Sequence, residues 1–246
     1  MNSPERIIYT PIAKSIPEFS KKDGTVYTCS LGYSPQKGLI RVYPLPISGI
    51  DKWGVYEIPI ERNKRDSRKE SFKLASYSRK EDFIGLDKDV HLKSYVKNKF
   101  EFQQQALSKY IYPSISKMNE LRISVGLVKA DSFKLFWETN KRFINTKQYG
   151  MFEDVEISTH TIYTKETKLK ESRIMFSDED GKHNLQFNEW QFYEFQRKAG
   201  ATKEAFRHHK PSDESYILLG NMNARRNIWI GLGIFEIFNV NQLIMF

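Results

Sequence analysis

The chain has a single cysteine, Cys29, among its 246 residues, so an intramolecular disulfide bond is impossible. Such sparing use of cysteine is typical of a reducing compartment. The N-terminal residues lack the apolar core of a signal peptide. The most apolar stretch, residues 228–238, has half the length of the about 20 residues that a membrane helix needs. We therefore expect a cytoplasmic protein that has no membrane partner.

Catalytic signatures are also missing. The sequence has neither a phosphate-binding glycine loop nor a Gly-x-Ser-x-Gly motif. Cys29 has no basic partner nearby in the sequence that would activate a thiolate. His208 and His209 are adjacent, and neighbouring helical residues point about 100° apart, which disfavours a shared metal ion. Catalytic residues stay unassigned, and we expect no cofactor and no metal.

Positive charge is what the chain has in excess. Its 39 Lys and Arg residues against 30 Asp and Glu residues give a net charge of +9. Residues 61–80 hold eight basic and three acidic side chains, so over half of the excess lies in a twelfth of the chain. Because such charge favours polyanions, nucleic acid is the partner that we expect. The alternative is a solvated loop in which Asp66 and Glu70 pair with their neighbours.

The residue types and spacing in the first two thirds of the chain predict three strands, then a helix, then further strands. Residues 25–31, 39–43 and 53–60 are rich in β-branched and aromatic side chains, and Pro44 and Pro46 should end the second of these strands. A helical period covers residues 95–111. Residues 122–137 predict a long strand that breaks near 130–131, and residues 155–163 predict another.

The last third predicts a β-hairpin, a helix and two strands. Residues 173–176 and 184–187 flank an Asp-Glu-Asp-Gly turn, and Asn188 with Gln191 suits the start of a helix that ends before Gly200. A short helix from Thr202 and strands at 216–219 and 228–238 follow, and the last strand should be buried on both faces. We therefore expect an α+β fold. An antiparallel, barrel-like N-terminal β-unit would span residues 1–90, and a hairpin-helix-strand unit would lie in 91–246.

Two blocks carry a resemblance. The first is Tyr27 to Ser30, a turn, the sequence Gly-Leu-Ile-Arg-Val-Tyr-Pro at 38–44 and polar residues through Ser71. The second is residues 184–190, the helix after them, 216–221 and the apolar strand 229–235. Both blocks resemble an uncharacterised family of prokaryotic proteins. The first block is also loosely similar to proteins that contain paired oligonucleotide-binding barrels.

The resemblance implies an intracellular prokaryotic or mobile-element protein, near defence or DNA-handling genes. Related chains carry a cysteine pair and a histidine at the hairpin before the Glu-Trp helix. Here residues 177–183 contain no cysteine, which argues against zinc.

The candidate nucleic-acid-binding residues form three sets. Arg41 and Tyr43 share one strand face, where a cation and a ring can grip a single strand, although Arg41 can equally hold the fold through a carboxylate. The basic segment and the turn at 220–226 supply the rest, because guanidinium groups bind phosphate in a bidentate manner. These residues are Arg62, Arg65, Arg68, Arg225 and Arg226.

Nucleic-acid binding is therefore the predicted function, in a recognition subunit of a prokaryotic defence or DNA-processing system that can have a protein partner. Two alternatives remain open. Asp178, Glu179 and Asp180 with Lys182 could form a two-metal nuclease site. An Asp-Gly sequence, however, usually marks a hairpin turn that has no catalytic role. The aromatic surface could instead dock a protein partner, as in an adaptor.

Overall fold

The first sheet of the protein forms a closed barrel. The structure is a computed structural model that describes residues 4–20, 24–77, 80–139, 170–199 and 214–237. The first sheet contains β1 (Glu5–Lys14), β2 (Glu18–Ser20), β3 (Thr25–Ser34), β4 (Gly38–Pro46), β5 (Gly54–Arg62), β6 (Ser71–Leu74) and β7 (His91–Tyr95). Strands β1, β3, β4, β6 and β5 follow one another, and β1 pairs with β5 to close the ring. Closure leaves none of these five strands with a free edge inside the ring.

Alternating side chains fill the barrel. On β4, Ile40 and Val42 point into an interior that they share with Ile7, Tyr9 and Ile58, all at most 1% exposed. Leu39 and Arg41, which alternate with them on the opposite face of β4, are also buried, and Leu39 belongs to a different cluster outside the barrel. Both faces of β4 are therefore buried, one inside the barrel and one against the rest of the protein.

The second sheet has seven strands in the order β10-β11-β12-β14-β13-β9-β8. They are β8 (Ile111–Tyr112), β9 (Val125–Lys129), β10 (Phe133–Thr139), β11 (Lys170–Asp178), β12 (Gly181–Phe187), β13 (Ser215–Asn221) and β14 (Trp229–Glu236). The helices are α1 (Lys99–Leu107), α2 (Ile115–Glu120) and α3 (Trp190–Ala199). Among the described residues, none of the helices combines the length and apolarity that a membrane crossing requires.

An apolar seam joins the barrel to the second sheet. Leu31 and Leu39 of the barrel pack with Leu107 of α1 and with Leu218 and Phe235 of the second sheet. Each of these side chains is at most 4% exposed. This continuous core fixes the two sheets relative to each other and positions the loops at their common edge.

The predicted α+β class, with a barrel-like N-terminal unit, is confirmed. The strand break near residue 130 is confirmed, and so are the hairpin at 178–181 and the buried last strand. Within the seam, Ala106 and Leu107 of α1 pack against residues of both sheets. Helix α1 begins at Lys99 and not near residue 95, because β7 runs to Tyr95 and Asn98 caps the helix through the Glu101 amide.

Two local predictions are wrong. Strand β4 does not end at Pro44 but runs to Pro46, which pairs with Tyr27 beside a bulge in β3, where the ladder tolerates a missing N–H. The cap of α3 is Glu189, whose Oε2 accepts from the Phe192 amide at 2.6 Å. Asn188 instead uses Oδ1 to accept from the Ile16 amide at 2.8 Å, so it ties the second sheet to the barrel.

Several predictions fall outside the described residues. These are the strand at 155–163, the short helix from Thr202, the adjacent His208 and His209, and the contribution of Arg79 to the basic segment.

Candidate nucleic-acid interface

The basic segment after β5 is held by a salt bridge between two of its own residues. Asp66 is 8% exposed, and Arg68 donates to it from Nε at 2.9 and 3.0 Å. Burial raises the pKa of the Asp66 carboxyl, but the hydrogen bonds and charge of Arg68 outweigh this effect and hold the pKa at about 2. Asp66 is therefore ionised at neutral pH and cancels the charge of Arg68.

The basic segment meets the turn between β13 and β14. Arg68 donates from Nη1 to the backbone oxygen of Asn221 at 2.5 Å, and Arg226 donates from Nη2 to Ser67 Oγ at 2.6 Å. A third bond runs from Asn223 Nδ2 to the backbone oxygen of Arg65, at 3.2 Å. The fold thus brings together two arginine clusters that lie about 160 positions apart in the sequence.

Arg41 lies in the seam and not on the surface. It is 3% exposed and donates from Nη1 to Glu70 Oε1 at 2.6 Å and to Ser124 Oγ at 2.8 Å. Burial lowers the pKa of the guanidinium. A Cβ on Gly220 would stand 2.8 Å from Nη2 of Arg41, so the absence of a side chain there makes room for the guanidinium. Arg41 thus links the barrel to the residues before β9.

Arg62 also bonds within the protein. Its guanidinium donates to the backbone oxygens of Lys69 and Arg68 and lies over the Phe72 ring at 5.1 Å. These contacts shape the loop, although the side chain stays exposed.

Besides Arg62, the described residues at this edge include five exposed cations, which we call the basic rim: Lys64, Arg65, Lys69, Arg225 and Arg226. Tyr43, which is 37% exposed, lines the same pocket of about 430 Å³ as Lys64 and Arg65. The rim therefore combines charged and aromatic groups at one site.

A cavity of about 400 Å³ opens beside the rim, between the barrel and the second sheet. We call it the seam cavity. Its lining includes the side chains of residues from both sequence blocks that carry the resemblance: Cys29, Arg41, Tyr43, Asp66, Arg68, Ser71, Asn188 and Asn221. Residues far apart in the chain thus converge on one concave place, which is where binding sites usually form.

Cys29 is part of this lining but is not an activated nucleophile. Burial raises the pKa of its thiol, and the nearby charges of Arg41 and Arg68 do not reverse that effect. A raised pKa keeps the sulfur protonated at neutral pH.

The carboxylates of the acidic hairpin bind backbone amides of the protein. Asp178 is 8% exposed; its Oδ2 accepts from the Ile115 amide at 3.1 Å and its Oδ1 from the Asp180 amide at 2.9 Å. Asp180 accepts from the Ser116 amide at 3.1 Å. Both carboxylates therefore hold the first turn of α2. The described residues include no group of three His, Cys, Asp or Glu side chains that could hold a metal ion.

Sequence reasoning thus identified the two arginine clusters and left the role of each open. Two of its alternatives are present: Arg41 is held by a carboxylate, and Asp66 and Glu70 pair with cations. Arg65, Arg225 and Arg226 lie on the rim, whereas Arg41 and Arg68 are bound by carboxylates. It also missed the asparagines at 188, 221 and 223. The Gly-Asn-Met-Asn turn does repeat an amide side chain, which could have indicated a polar site. Glycine and asparagine are also common in turns, and the sequence was interpreted only in that way.

The fold and the site define a small barrel joined to a second β-sheet, with a basic rim at the seam. Residues 5–103 match the model of a domain of unknown function, DUF8758. The matched segment covers the whole barrel, with Arg41, Asp66 and Arg68, and reaches into α1. A search of curated proteins finds no match for the chain.

Proposed function

We propose that this protein binds nucleic acid through the basic rim. The proposal rests mainly on the ion pairs that the acidic side chains of the basic segment form. Asp66 pairs with Arg68, Glu70 pairs with Arg41, and Glu61 pairs with Lys73 at 2.8 Å. Since each carboxylate already has a cationic partner, the charges of Lys64, Arg65 and Lys69 are not cancelled within the segment.

The turn after β13 strengthens the same surface. Arg225 and Arg226 are exposed, and the bond from Arg226 to Ser67 holds the turn against the basic segment. Cations that lie within a Debye length of about 8–10 Å act together on a polyanion. A phosphate backbone that crosses the seam edge would therefore contact both clusters.

The exposed Tyr43 ring favours single strands over duplex. Bases of a single strand stack on aromatic side chains while cations follow the backbone, at about 1–3 kcal/mol for each stacked base. Paired bases inside a duplex cannot reach such a ring. A role as the recognition subunit of a prokaryotic defence or DNA-processing system belongs to this proposal and rests on the resemblance of the two sequence blocks.

A binding screen tests the proposal. Fluorescently labelled single-stranded and double-stranded DNA and RNA of about 12 nucleotides, a length within known site sizes, are titrated with the protein. The test variant changes Lys64, Arg65 and Arg225 to Gln. The control changes Lys88, Lys97 and Lys134 to Gln, which are exposed cations away from the rim.

We expect the single strands to bind most tightly, the rim variant to lose most of this affinity and the control to keep it. Equal affinity for the rim variant and the unmodified protein would exclude the rim as the binding surface. Binding that is insensitive to salt, or limited to a protein partner, would favour the adaptor alternative.

A further inference from the structure

We propose that the seam cavity is a binding pocket for a single unpaired nucleobase. This inference rests on the proposed function, because the base would belong to a strand whose phosphates lie on the basic rim. With such a pocket, the protein would recognise the base of one unpaired nucleotide as well as bind the phosphate backbone.

The size and position of the cavity suit this role. Its volume of about 400 Å³ lies within the about 300–1,000 Å³ of small-molecule pockets. Tyr43, Arg68 and Asn223 line both the cavity and the neighbouring pocket that Lys64 and Arg65 line. The cavity and the rim are therefore one continuous surface, so a base can enter while its phosphate stays outside.

The cavity contains an unmet hydrogen-bond acceptor. Asn221 is 5% exposed and lines the cavity, and its Nδ2 donates to the backbone oxygen of Arg226 at 3.0 Å. Its Oδ1 is buried and has no hydrogen-bond donor within the described part of the chain. A buried acceptor without a partner is costly, and a donor group on a ligand removes that cost.

Two more amides complete a polar edge. Asn188 is fixed by the bond from the Ile16 amide to its Oδ1, and its side chain lines the cavity. Gln186 lines the cavity as well, and its side chain makes no hydrogen bond with other described residues. Because its Oδ1 already accepts from Ile16, Asn188 offers mainly its Nδ2 donor. The carboxamide of Gln186 offers a donor and an acceptor side by side, which matches the paired donor and acceptor atoms on the edge of a base.

The remaining lining favours a neutral, flat ligand. Leu31, Ile230 and Leu232 supply an apolar surface. The charges of Arg41 and Arg68 are compensated by Glu70 and Asp66. A free anion would therefore gain little in the cavity, whereas a base gains both apolar contact and hydrogen bonds.

Cys29 offers a direct readout of occupancy, because it lines the cavity and is the only cysteine in the sequence. We would measure by mass spectrometry the rate at which iodoacetamide alkylates the intact protein at alkaline pH, because the raised pKa of the Cys29 thiol leaves little thiolate at neutral pH. The ligands are adenosine, guanosine, cytidine, uridine and thymidine, which carry no phosphate, and single strands of about 12 nucleotides with and without bases.

We expect at least one nucleoside to slow alkylation, by about tenfold at a concentration ten times its dissociation constant. The strand with bases should protect Cys29. The abasic strand should bind the rim but leave Cys29 reactive. Gln186→Ala should weaken the protection by the nucleoside, whereas Gln103→Ala on α1, outside the cavity lining, should not.

The outcomes separate the two proposals. If the strand binds but neither it nor any nucleoside protects Cys29, the pocket is refuted and the rim stands. If a nucleoside protects Cys29 but no strand binds, the rim is refuted and the cavity is a site for a free heteroaromatic molecule. Equal loss of protection in Gln186→Ala and Gln103→Ala would overturn the proposed recognition edge.

Discussion

Arg68 donates a hydrogen bond of 2.5 Å from Nη1 to the backbone oxygen of Asn221, which lies 153 positions further along the chain. The same guanidinium uses Nε to hold the carboxylate of Asp66. Arg68 is thus the junction between the basic segment, the turn after β13 and the seam cavity. The Arg68 guanidinium is thus used within the fold, whereas the nearby Arg65 side chain is exposed.

Asp66 makes the stability of this junction dependent on pH. Its pKa of about 2 in the folded protein lies below the about 3.9 of an unfolded chain. Because the folded pKa is lowered, the stabilisation is complete above about pH 5 and is lost as the pH falls toward 2. Asp66→Asn should therefore lower the free energy of unfolding by about 1–2 kcal/mol at pH 7 and by little near pH 2.

Urea denaturation across this pH range measures the difference. The control is Asp131→Asn, an exposed carboxylate away from the junction, which should change little at any pH. A constant difference between Asp66→Asn and the unmodified protein from pH 2 to 7 would contradict the role of the ionised carboxylate.

The pair formed by Arg41 and Glu70 should be important for the seam. Arg41→Met leaves Glu70 without its cation and removes the donor to Ser124 Oγ, so we expect a loss of about 3–5 kcal/mol. Adding Glu70→Gln should restore part of that loss, because no buried charge is then unpaired. A double-variant cycle by urea denaturation checks this, and strictly additive losses would show that the two side chains act independently.

Much of the fold follows from local patterns. Alternation along residues 39–43 predicts a strand, and the apolar run at 228–238 predicts a buried one; both are present. The sequence predicted a barrel-like unit but not how it closes. Closure depends on β1, where no strand was predicted. The pairing of Tyr9 with Tyr56 that closes the ring joins residues 47 positions apart and leaves no local signal.

The site was less predictable than the fold. Arg41 lies in an apolar strand and Arg65 in the basic segment, and both were candidates for binding nucleic acid. The structure buries Arg41 against Glu70 and leaves Arg65 exposed. The difference arises from the packing of the second sheet on the barrel. Local sequence could not indicate that residues near 66 and 221 would meet.

Phe235 should be a major contributor to the seam. It is 3% exposed, as predicted from the apolar run, and its ring contacts Trp53 edge to face with centroids 6.2 Å apart. Phe235→Ala should cost about 3–5 kcal/mol in a urea denaturation experiment. Ile84→Ala, at a side chain that is 82% exposed, is the control and should cost less than about 0.5 kcal/mol. A loss near zero for Phe235→Ala would mean that the strand lies at a surface.

The acidic hairpin should matter for stability and not for chemistry. Changing Asp178 and Asp180 to Asn weakens the acceptors for the Ile115 and Ser116 amides, so the free energy of unfolding should fall by about 1–3 kcal/mol. Nucleic-acid affinity of the folded variant should stay unchanged. Cleavage of nucleic acid by the unmodified protein with magnesium or manganese, abolished in this variant, would establish the nuclease alternative instead.

The salt dependence of single-strand binding tests the central claim most directly. The affinity of the unmodified protein should fall linearly with salt on a log–log scale. The combined change of Lys64, Arg65 and Arg225 to Gln should reduce that slope by roughly 2 units, at about 0.7 for each lost phosphate contact. The control with Lys88, Lys97 and Lys134 changed to Gln should keep the full slope. An unchanged slope and affinity in the folded rim variant would contradict the account.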